Sequence, residues 1–411
     1  MKTLLVTSVL PWPLRKNGGG QRSALLKKAL ERFGPVDVFA VGGSALKENT
    51  PEFDSLLPSQ NVIDCIVRNC PVNDIPAWGF GPFKQLARTI RQYQFNYEPD
   101  PTVQDRLQRV LEQHGPYDLI VGRYLQPVIQ SGADRIKDIP KLLDFDDIDW
   151  QTLKSSIREK PWPGLGGKIG ASLLLSRVKQ ACEKSLDRFD HVFVTSEEDR
   201  TLLDRPSTVL PNIPFADNES VRIDALEADP ASRRILFVGD LQFPPNREGL
   251  DRFLSRIWPE VIKQVPDATV DIVGRGLTPE RADRWEKIQG TNVVGFADEL
   301  VSFYKRCAFN IVPVYFGGGT KIKVLESLAY GRTVVACSHA MRGYGCLTET
   351  DPAVAVAESD EDFIHACIRL LTDPGLRQAM AERGKRIVEQ VFSFNRFASI
   401  VADHVPQEAI R

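Results

Sequence analysis

Short runs of β-branched and aliphatic residues alternate along this chain with stretches whose apolar positions recur at helical spacing, the pattern of parallel strands joined by crossover helices. Leu4–Val9, Val36–Val41, Leu119–Val121, Lys141–Phe145 and His191–Thr195 read as strands of one doubly wound α/β domain. From residue 206 to 233 the pattern pauses: Pro206, Pro211, Pro214 and Pro230 stand among scattered acids, which disfavours crossover helices. A second series follows, with Arg234–Val238, Thr269–Val273, Asn292–Val294, Phe309–Pro313 and Thr333–Ala336 as strands. From Asp360 the chain reads as helical, with breaks at Asp373-Pro374-Gly375 and near Phe392. Two such α/β domains facing each other would leave a cleft at the carboxyl ends of their sheets, where open α/β folds bind ligands.

Composition narrows the chemistry. The 411 residues are 42% hydrophobic and 26% charged, enough to bury two cores and too apolar for a disordered chain. Fifty-two Lys+Arg against 54 Asp+Glu give a net charge of −2, so no basic excess drives sequence-independent nucleic-acid binding. The 7 cysteines are scattered, without CxxC pairs or histidines at zinc spacing, and read as free thiols in a reducing cytoplasm. The opening MKTLLVTSVLPWP meets Pro11 and Pro13 and lacks a small-residue cleavage site, so it reads as a first strand, not a signal peptide. No apolar run approaches the roughly 18 residues of a membrane span. A cytoplasmic protein, at most peripheral to a membrane, is the expectation.

The segment richest in chemistry is Phe309–Gly331, FNIVPVYFGGGTKIKVLESLAYG. A buried strand leads into Gly317, Gly318 and Gly319, and a helix is expected from Thr320. Glycines admit a ligand to the backbone, and the amides of a helix N-terminus suit a phosphate. Lys321 and Lys323 add cations at the same place, which argues for a diphosphate. Glu326 falls three residues after Lys323, on the same helical face, where a carboxylate can accept two ribose hydroxyls. The plainer alternative is a glycine loop with a solvated Lys323–Glu326 pair.

An earlier glycine cluster, Gly18, Gly19 and Gly20, reads as a loop between the first strand and a basic helix in WPLRKNGGGQRSALLKKALER. Arg15, Lys16, Arg22, Lys27, Lys28 and Arg32 meet one acid there, Glu31, and the plainer alternative is a flexible loop with a solvated basic helix. Neither Gly-Lys-[Ser/Thr] nor G-x-G-x-x-G is present there. Asp144, Asp146, Asp147 and Asp149 cluster after a strand in LLDFDDIDW, which raises Mg²⁺ binding as one option and an acceptor-side or structural role as the other. Arg123-Tyr124 also follows a strand. In the Trp162–Leu175 stretch, flanked by Arg158, Lys160, Lys168 and Arg177, an interfacial patch competes with a core-facing helix marked by Leu174, Val178, Cys182, Leu186 and Phe189. None of the five histidines lies in the N-terminal glycine cluster, Gly18 to Gly20, so no imidazole base stands there.

The Phe309–Gly331 segment resembles the donor-nucleotide site of retaining GT-B-fold glycosyltransferases of family 4, the glycosyl transferases group 1 type. ILFVGDLQFPPNREGLDRFLSRIWPEVIKQVPDATVDIVGRG (Ile235–Gly276), VVGFADELVSFYKRCAFNIVP, TVVACSHAMRGYG, FVTSEEDR and VLPNIPF carry further resemblance, strong over Phe193–Gly345 and weaker before it. The resemblance implies two facing Rossmann-like domains: 1–205 for the acceptor, a linker over 206–233, 234–385 for a nucleotide-sugar donor, and a helix over 386–411 packing back towards the first domain. It implies transfer of a sugar from a UDP- or GDP-sugar to a glycan, lipid-linked sugar or small molecule, by a front-face retaining mechanism needing no metal or other cofactor. Catalysis then falls to Lys321, Lys323 and the backbone at Gly318. Donor contacts fall to Gly18, Gly19, Gly20, Asn246, Arg247, Gly319, Thr320 and Glu326, and the acceptor side to Arg123, Tyr124 and Asp146. Two features depart from the family pattern. Gly318 stands where the first carboxylate of a Glu-x7-Glu pair is usual, and the family's Arg and Lys after the first strand of the second domain are out of register. An inactive nucleotide-binding partner protein therefore stays open. A nucleotide-cofactor oxidoreductase, suggested by Val273-Gly274-Arg275-Gly276, lacks its third glycine at Pro279.

Overall fold

The structure, a computed structural model, describes residues 1–14, 17–43, 51–68, 96–159, 162, 164–214, 228–349 and 351–406. Lys160, one of the basic residues flanking Trp162, lies outside the described residues, as do Arg15, Lys16 and parts of the expected linker and C-terminal segment. The chain forms two compact units: Met1–Pro211 together with the chain from Phe397 onward, and Asn212–Arg396.

In the first unit seven parallel strands lie in the order β3-β2-β1-β4-β5-β6-β7. They are β1 (Thr3–Thr7), β2 (Val36–Gly42), β3 (Val62–Val67), β4 (Leu119–Arg123), β5 (Lys141–Asp144), β6 (His191–Val194) and β7 (Ser207–Val209). Every residue of β1 is buried, as a strand covered by helices on both faces requires. Gly122 shows the tightness of that cover. A Cβ there would lie 2.5 Å from Val128 Cγ2 and 3.1 Å from Leu143 Cδ1, so only glycine lets the Leu125–Ser131 helix settle on the sheet. Register places Thr7, Arg123 and Asp144 side by side at the carboxyl edge.

The second unit has six parallel strands in the order β10-β9-β8-β11-β12-β13. They are β8 (Arg234–Val238), β9 (Thr269–Val273), β10 (Thr291–Gly295), β11 (Phe309–Val312), β12 (Val334–Cys337) and β13 (Val354–Ala357). Both sheets reverse direction of strand addition at one point, between β1 and β4 and between β8 and β11. This is the topological switch of Rossmann-like folds, where ligands bind.

Three strands escaped the hydrophobic pattern: β3, β7 and β13. All lie at a sheet edge: β7 is three residues with one apolar position, the apolar run of β3 (VIDCIV) is broken by Asp64, and β13 (VAVA) is only four residues long. β7 lies inside the segment expected to be linker. The C-terminal expectation also shifts, because the Pro374–Val391 helix runs straight through residue 386 and a separate helix, Phe394–Ala402, begins after the break. Phe397 of that helix is buried beneath the Arg22 guanidinium, 5.7 Å from ring centre to Cζ. Among the described residues no helix is long and apolar enough to cross a membrane.

Candidate functional site

In the second unit three glycines bring loops to backbone contact around the switch point. A Cβ on Gly249 would sit 1.6 Å from the Pro313 carbonyl oxygen, so the Pro244–Arg252 helix presses directly on the end of β11. A Cβ on Gly274 would lie 1.8 Å from the Gly239 oxygen, and one on Gly239 would lie 2.8 Å from Lys323 Nζ. The loop after β11 then turns through two left-handed glycines, Gly317 (φ 103°) and Gly319 (φ 62°). The Gly317 carbonyl also accepts from His339 Nε2 at 3.0 Å, which makes Nε2 the protonated nitrogen of that ring.

Lys323 donates to Asn246 Oδ1 at 2.8 Å, and Asn246 Nδ2 donates to the Asp240 carbonyl at 2.9 Å. Burial, reinforced by the like charge of Lys321, pulls the Lys323 ammonium down to about 7. Lys321 folds back instead of reaching outward: its Nζ donates to the carbonyls of Gly318 at 2.6 Å and Gly319 at 2.7 Å. The helix begins at Ile322, two residues later than expected, because Thr320 and Lys321 complete the glycine turn. Thr320 Oγ1 accepts from Asn212 Nδ2 at 2.8 Å. Arg247 donates to the Gln242 and Leu241 carbonyls at 3.2 and 3.4 Å. Glu326 is half-buried, and its charge helps hold up the phenols of Tyr304 and Tyr330, whose rings stack at 4.1 Å, burial being the larger cause for both. The solvated Lys323–Glu326 pair is thus not what forms: Lys323 turns to Asn246, 77 positions away in sequence. Chemically, the arrangement offers two lysine nitrogens at the start of a helix, one of them partly a neutral amine near pH 7 that takes up a proton when an anion arrives.

The first unit handles charge differently. Asn17 Oδ1 accepts from the Gly20 amide at 3.0 Å and caps the Gly18–Leu30 helix. Gly18, Gly19 and Gly20 are therefore the first helical turn, not the open loop expected, because Asn17 supplies the cap that lets the helix start there. Arg22, counted from sequence among the solvated basic residues of this helix, is instead 1% exposed. It grips Asp144 with two bonds, Nε to Oδ2 at 2.9 Å and Nη2 to Oδ1 at 2.6 Å, and also donates to the Leu210 carbonyl at 2.9 Å. Arg123 donates through Nη1 to Asp144 and Asp146, both at 3.1 Å, through Nε to Ser23 at 2.8 Å and through Nη2 to the Gly19 carbonyl at 3.0 Å. Tyr124, at φ 64°, lays its ring 4.5 Å from the Arg123 guanidinium and donates its hydroxyl to Asp146 at 3.3 Å.

Two expectations change here. Arg123 is fully buried and cannot touch an acceptor, because its donors are spent on the network beneath. Asp144 and Asp146 accept from guanidinium groups, so the aspartate cluster is an ion network; among the described residues no group of three or more His, Cys, Asp or Glu could hold a metal ion. Asp149 turns away to Gln126, 3.3 Å, and burial pushes its carboxyl up to about 6. The pairing of Arg22 with Asp144 spans 122 positions and left no local signal in the sequence.

Comparison with known proteins gives these geometries a context. Residues 232–373 match the family model for glycosyl transferases group 1. Over 118 residues the chain is 30% identical to an uncharacterized 44.6 kDa protein in the cps region of Klebsiella pneumoniae, a match spanning 27% of this chain and 30% of that relative's length. Among solved structures it resembles sucrose-phosphate synthase from Thermosynechococcus elongatus (16% identity, 98% of both chains, TM-score 0.65). It also resembles Anabaena HepE in complex with UDP (14% identity, 98% of this chain and 99% of that one, TM-score 0.63). S. aureus TarM, in complex with fondaparinux, alpha-GlcNAc-glycerol and UDP, is similar at 10% identity over 98% and 99% of the two chains, with TM-score 0.65. Residues 232–373 of the second unit thus match the group 1 model, in a chain whose two parallel-sheet Rossmann-like domains share the fold of GT-B glycosyltransferase structures.

Proposed function

We propose that this protein is a retaining glycosyltransferase that moves a sugar from a nucleotide-diphosphate sugar, UDP- or GDP-linked, to a glycan, lipid-linked or small-molecule acceptor. The observation that carries the reading is the Lys323–Asn246 bond beside Gly239, with Lys321 on the same glycine turn, at the switch point of a domain that matches the group 1 model. The UDP held by HepE and TarM supports a uridine nucleotide as the first donor to try.

In this mechanism the second unit binds the donor. The diphosphate takes the place of neutral oxygens as the partner of Lys323 and Lys321, and meets the start of the Ile322–Ala329 helix with the backbone of Gly318, Gly319 and Thr320. Glu326 accepts the ribose hydroxyls, and Asn246 and Arg247 bound the phosphate side. As the glycosidic bond breaks, negative charge grows on the leaving diphosphate, and the two ammonium groups stabilise it where it forms. In a front-face reaction that diphosphate accepts the acceptor's proton, so the chain supplies position and charge. On the first unit Tyr124 serves the acceptor hydroxyls, held at the rim of the ion network by Asp146. Arg123 acts from beneath, by holding both.

A catalytically silent nucleotide-binding protein is the second reading, favoured by Gly318 in place of a carboxylate. Incubating the purified protein with UDP, GDP and their glucose conjugates, with melting temperature and sugar release both followed, separates the two. The transferase reading expects a melting rise with one nucleotide and slow hydrolysis of its sugar. It also expects Glu326→Ala to weaken nucleotide binding and Lys323→Ala to depress hydrolysis mainly. A melting rise without any turnover selects the silent protein, and no response to any nucleotide removes both.

A further inference from the structure

The α/β core of the first unit carries a helical pair that reaches past it. β5 ends at the carboxyl edge of its sheet, the Asp149–Glu159 helix leaves that edge, and the Gly164–Leu186 helix returns to start β6 at the opposite edge. Its 23 residues span about 35 Å at 1.5 Å each, whereas the 4 residues of β6 span about 13 Å, so the first half of the helix extends beyond the carboxyl edge. Its inner face, Leu174, Val178, Cys182 and Leu186, joins the core. Its outer face is apolar where a helix in water should not be: Ile169 is 53% and Leu173 58% exposed, the two largest such exposures on this unit among the described residues.

The surroundings say what covers that face. At about 100° per residue, Ile169 and Leu173 project about 40° apart, with Gly166, Ser172 and Ser176 as small neighbours. Exposed Lys168 lies on one flank, with Lys179 beyond it paired to exposed Glu183 at 3.5 Å, and exposed Arg177 lies on the other, so cations border the apolar centre on both sides. Lys154 and Arg158, exposed on the adjoining helix, extend the positive rim. From Lys160 to Cys182 the sequence has no Asp or Glu. A protein partner recognising such a rim would have to bring its own acids into register. A bilayer with anionic headgroups meets it everywhere, while the two side chains enter the acyl boundary and the lysines and arginine reach back to the headgroups. We infer that the outer face of the Gly164–Leu186 helix, centred on Ile169 and Leu173, docks on an anionic lipid surface. Docking here would set the carboxyl edge of the first sheet, with Tyr124 and Asp146, towards the membrane. Only this last consequence rests on the transferase reading, and it narrows the acceptor class to lipid-linked sugars.

Co-sedimentation with vesicles tests the docking without any catalysis. Vesicles of phosphatidylglycerol and phosphatidylcholine are expected to retain the protein, and phosphatidylcholine alone to retain at least about tenfold less. Ile169→Ser with Leu173→Ser should lower retention about tenfold at every salt concentration, and Lys168→Glu with Arg177→Glu should abolish the preference for anionic lipid. All four positions are exposed, so unchanged circular-dichroism melting is expected and serves as the folding control. Absence of retention, or retention that both double variants leave intact, overturns the proposal. So does a dimer in light scattering that the serine variant dissolves while vesicles retain neither form, since the face would then belong to a second copy. Nucleotide binding in the serine variant should equal that of the parent, which keeps a failed docking surface distinct from a failed donor site.

Discussion

The two switch points carry similar numbers of charges and use them in opposite ways. In the first unit Arg22 and Arg123 each bond carboxylates, Asp144 accepts from both, and the groups are 0 to 8% exposed. In the second, Arg275 pairs with Asp240 at 2.9 Å, while Lys323 bonds an amide oxygen and two backbone carbonyls are among the partners of Lys321. A guanidinium fork matched to a carboxylate is complete; an ammonium resting on neutral oxygens still gains by meeting an anion. The first arrangement specifies a shape, and the second leaves the partly buried Lys323 nitrogen on an amide oxygen, where an anion is the stronger partner. The contrast explains why one cluster is read as scaffold and the other as the donor site.

The strongest way to break this comparison is to remove Asp144. Asp144→Ala leaves two buried guanidinium groups short of their shared partner and should cost about 3–5 kcal/mol in urea unfolding of the first unit. A loss below about 1 kcal/mol would mean the network is wetter than its burial says. Lys323→Met should behave in the opposite sense. Turnover is expected to fall by about 10²–10³, while the melting temperature stays level or rises, because the fold penalises this ammonium. The sign follows from linkage: the folded group titrates at about 7 and the unfolded one near 10.5, so the unfolded chain binds more protons between these values. The penalty is full below pH 7, shrinks as pH rises through that window and vanishes above 10.5. The gain in Lys323→Met should therefore be largest at pH 6 and absent near pH 10.5.

A subtler effect sharpens the ligand side. Above pH 7 the free protein has lost the Lys323 proton, and binding a diphosphate must take it up again. Affinity for UDP should fall by up to about tenfold per pH unit from 7 to 9, with proton uptake visible as a buffer-dependent heat in calorimetry. Lys323→Arg should flatten the dependence. The smallest effect expected is at Tyr124, whose hydroxyl sits 3.3 Å from Asp146 at the rim of the scaffold cluster. Tyr124→Phe should cost under about 1 kcal/mol in stability and appear chiefly as a raised acceptor KM. A change in donor KM alone would assign Tyr124 to the other substrate.

How much of this was legible depends on sequence distance. The strands around both glycine clusters were readable because buried parallel strands are continuous apolar runs, and the C-terminal helices because Asp373-Pro374 and Phe392 interrupt a clear periodicity. The Gly317–Glu326 segment was readable because strand, turn, cations and acid follow within one short stretch. Arg22 was not, since a basic residue on a polar helix looks solvated until its partner 122 positions away is known. Asn246 announced itself only through resemblance, and its bond to Lys323 joins two loops that only the folded sheet brings together. Edge strand β7 was lost for a related reason: its three residues, Ser207–Val209, become a strand by pairing with β6 and carry no apolar run of their own.

By itself, then, the sequence determined a doubly wound α/β chain and the order of residues on the glycine turn, because these depend on local period and backbone freedom. Only the tertiary structure decided which charges neutralise one another, that Gly18 to Gly20 form a capped helical turn, and that Ile169 and Leu173 stay exposed on the far side of the helix whose Leu174 and Val178 stripe already read as core-facing. Charge pairing and burial are properties of space, fixed when switch-point loops distant in sequence are brought within 3 Å of each other, and no window along the chain contains both partners.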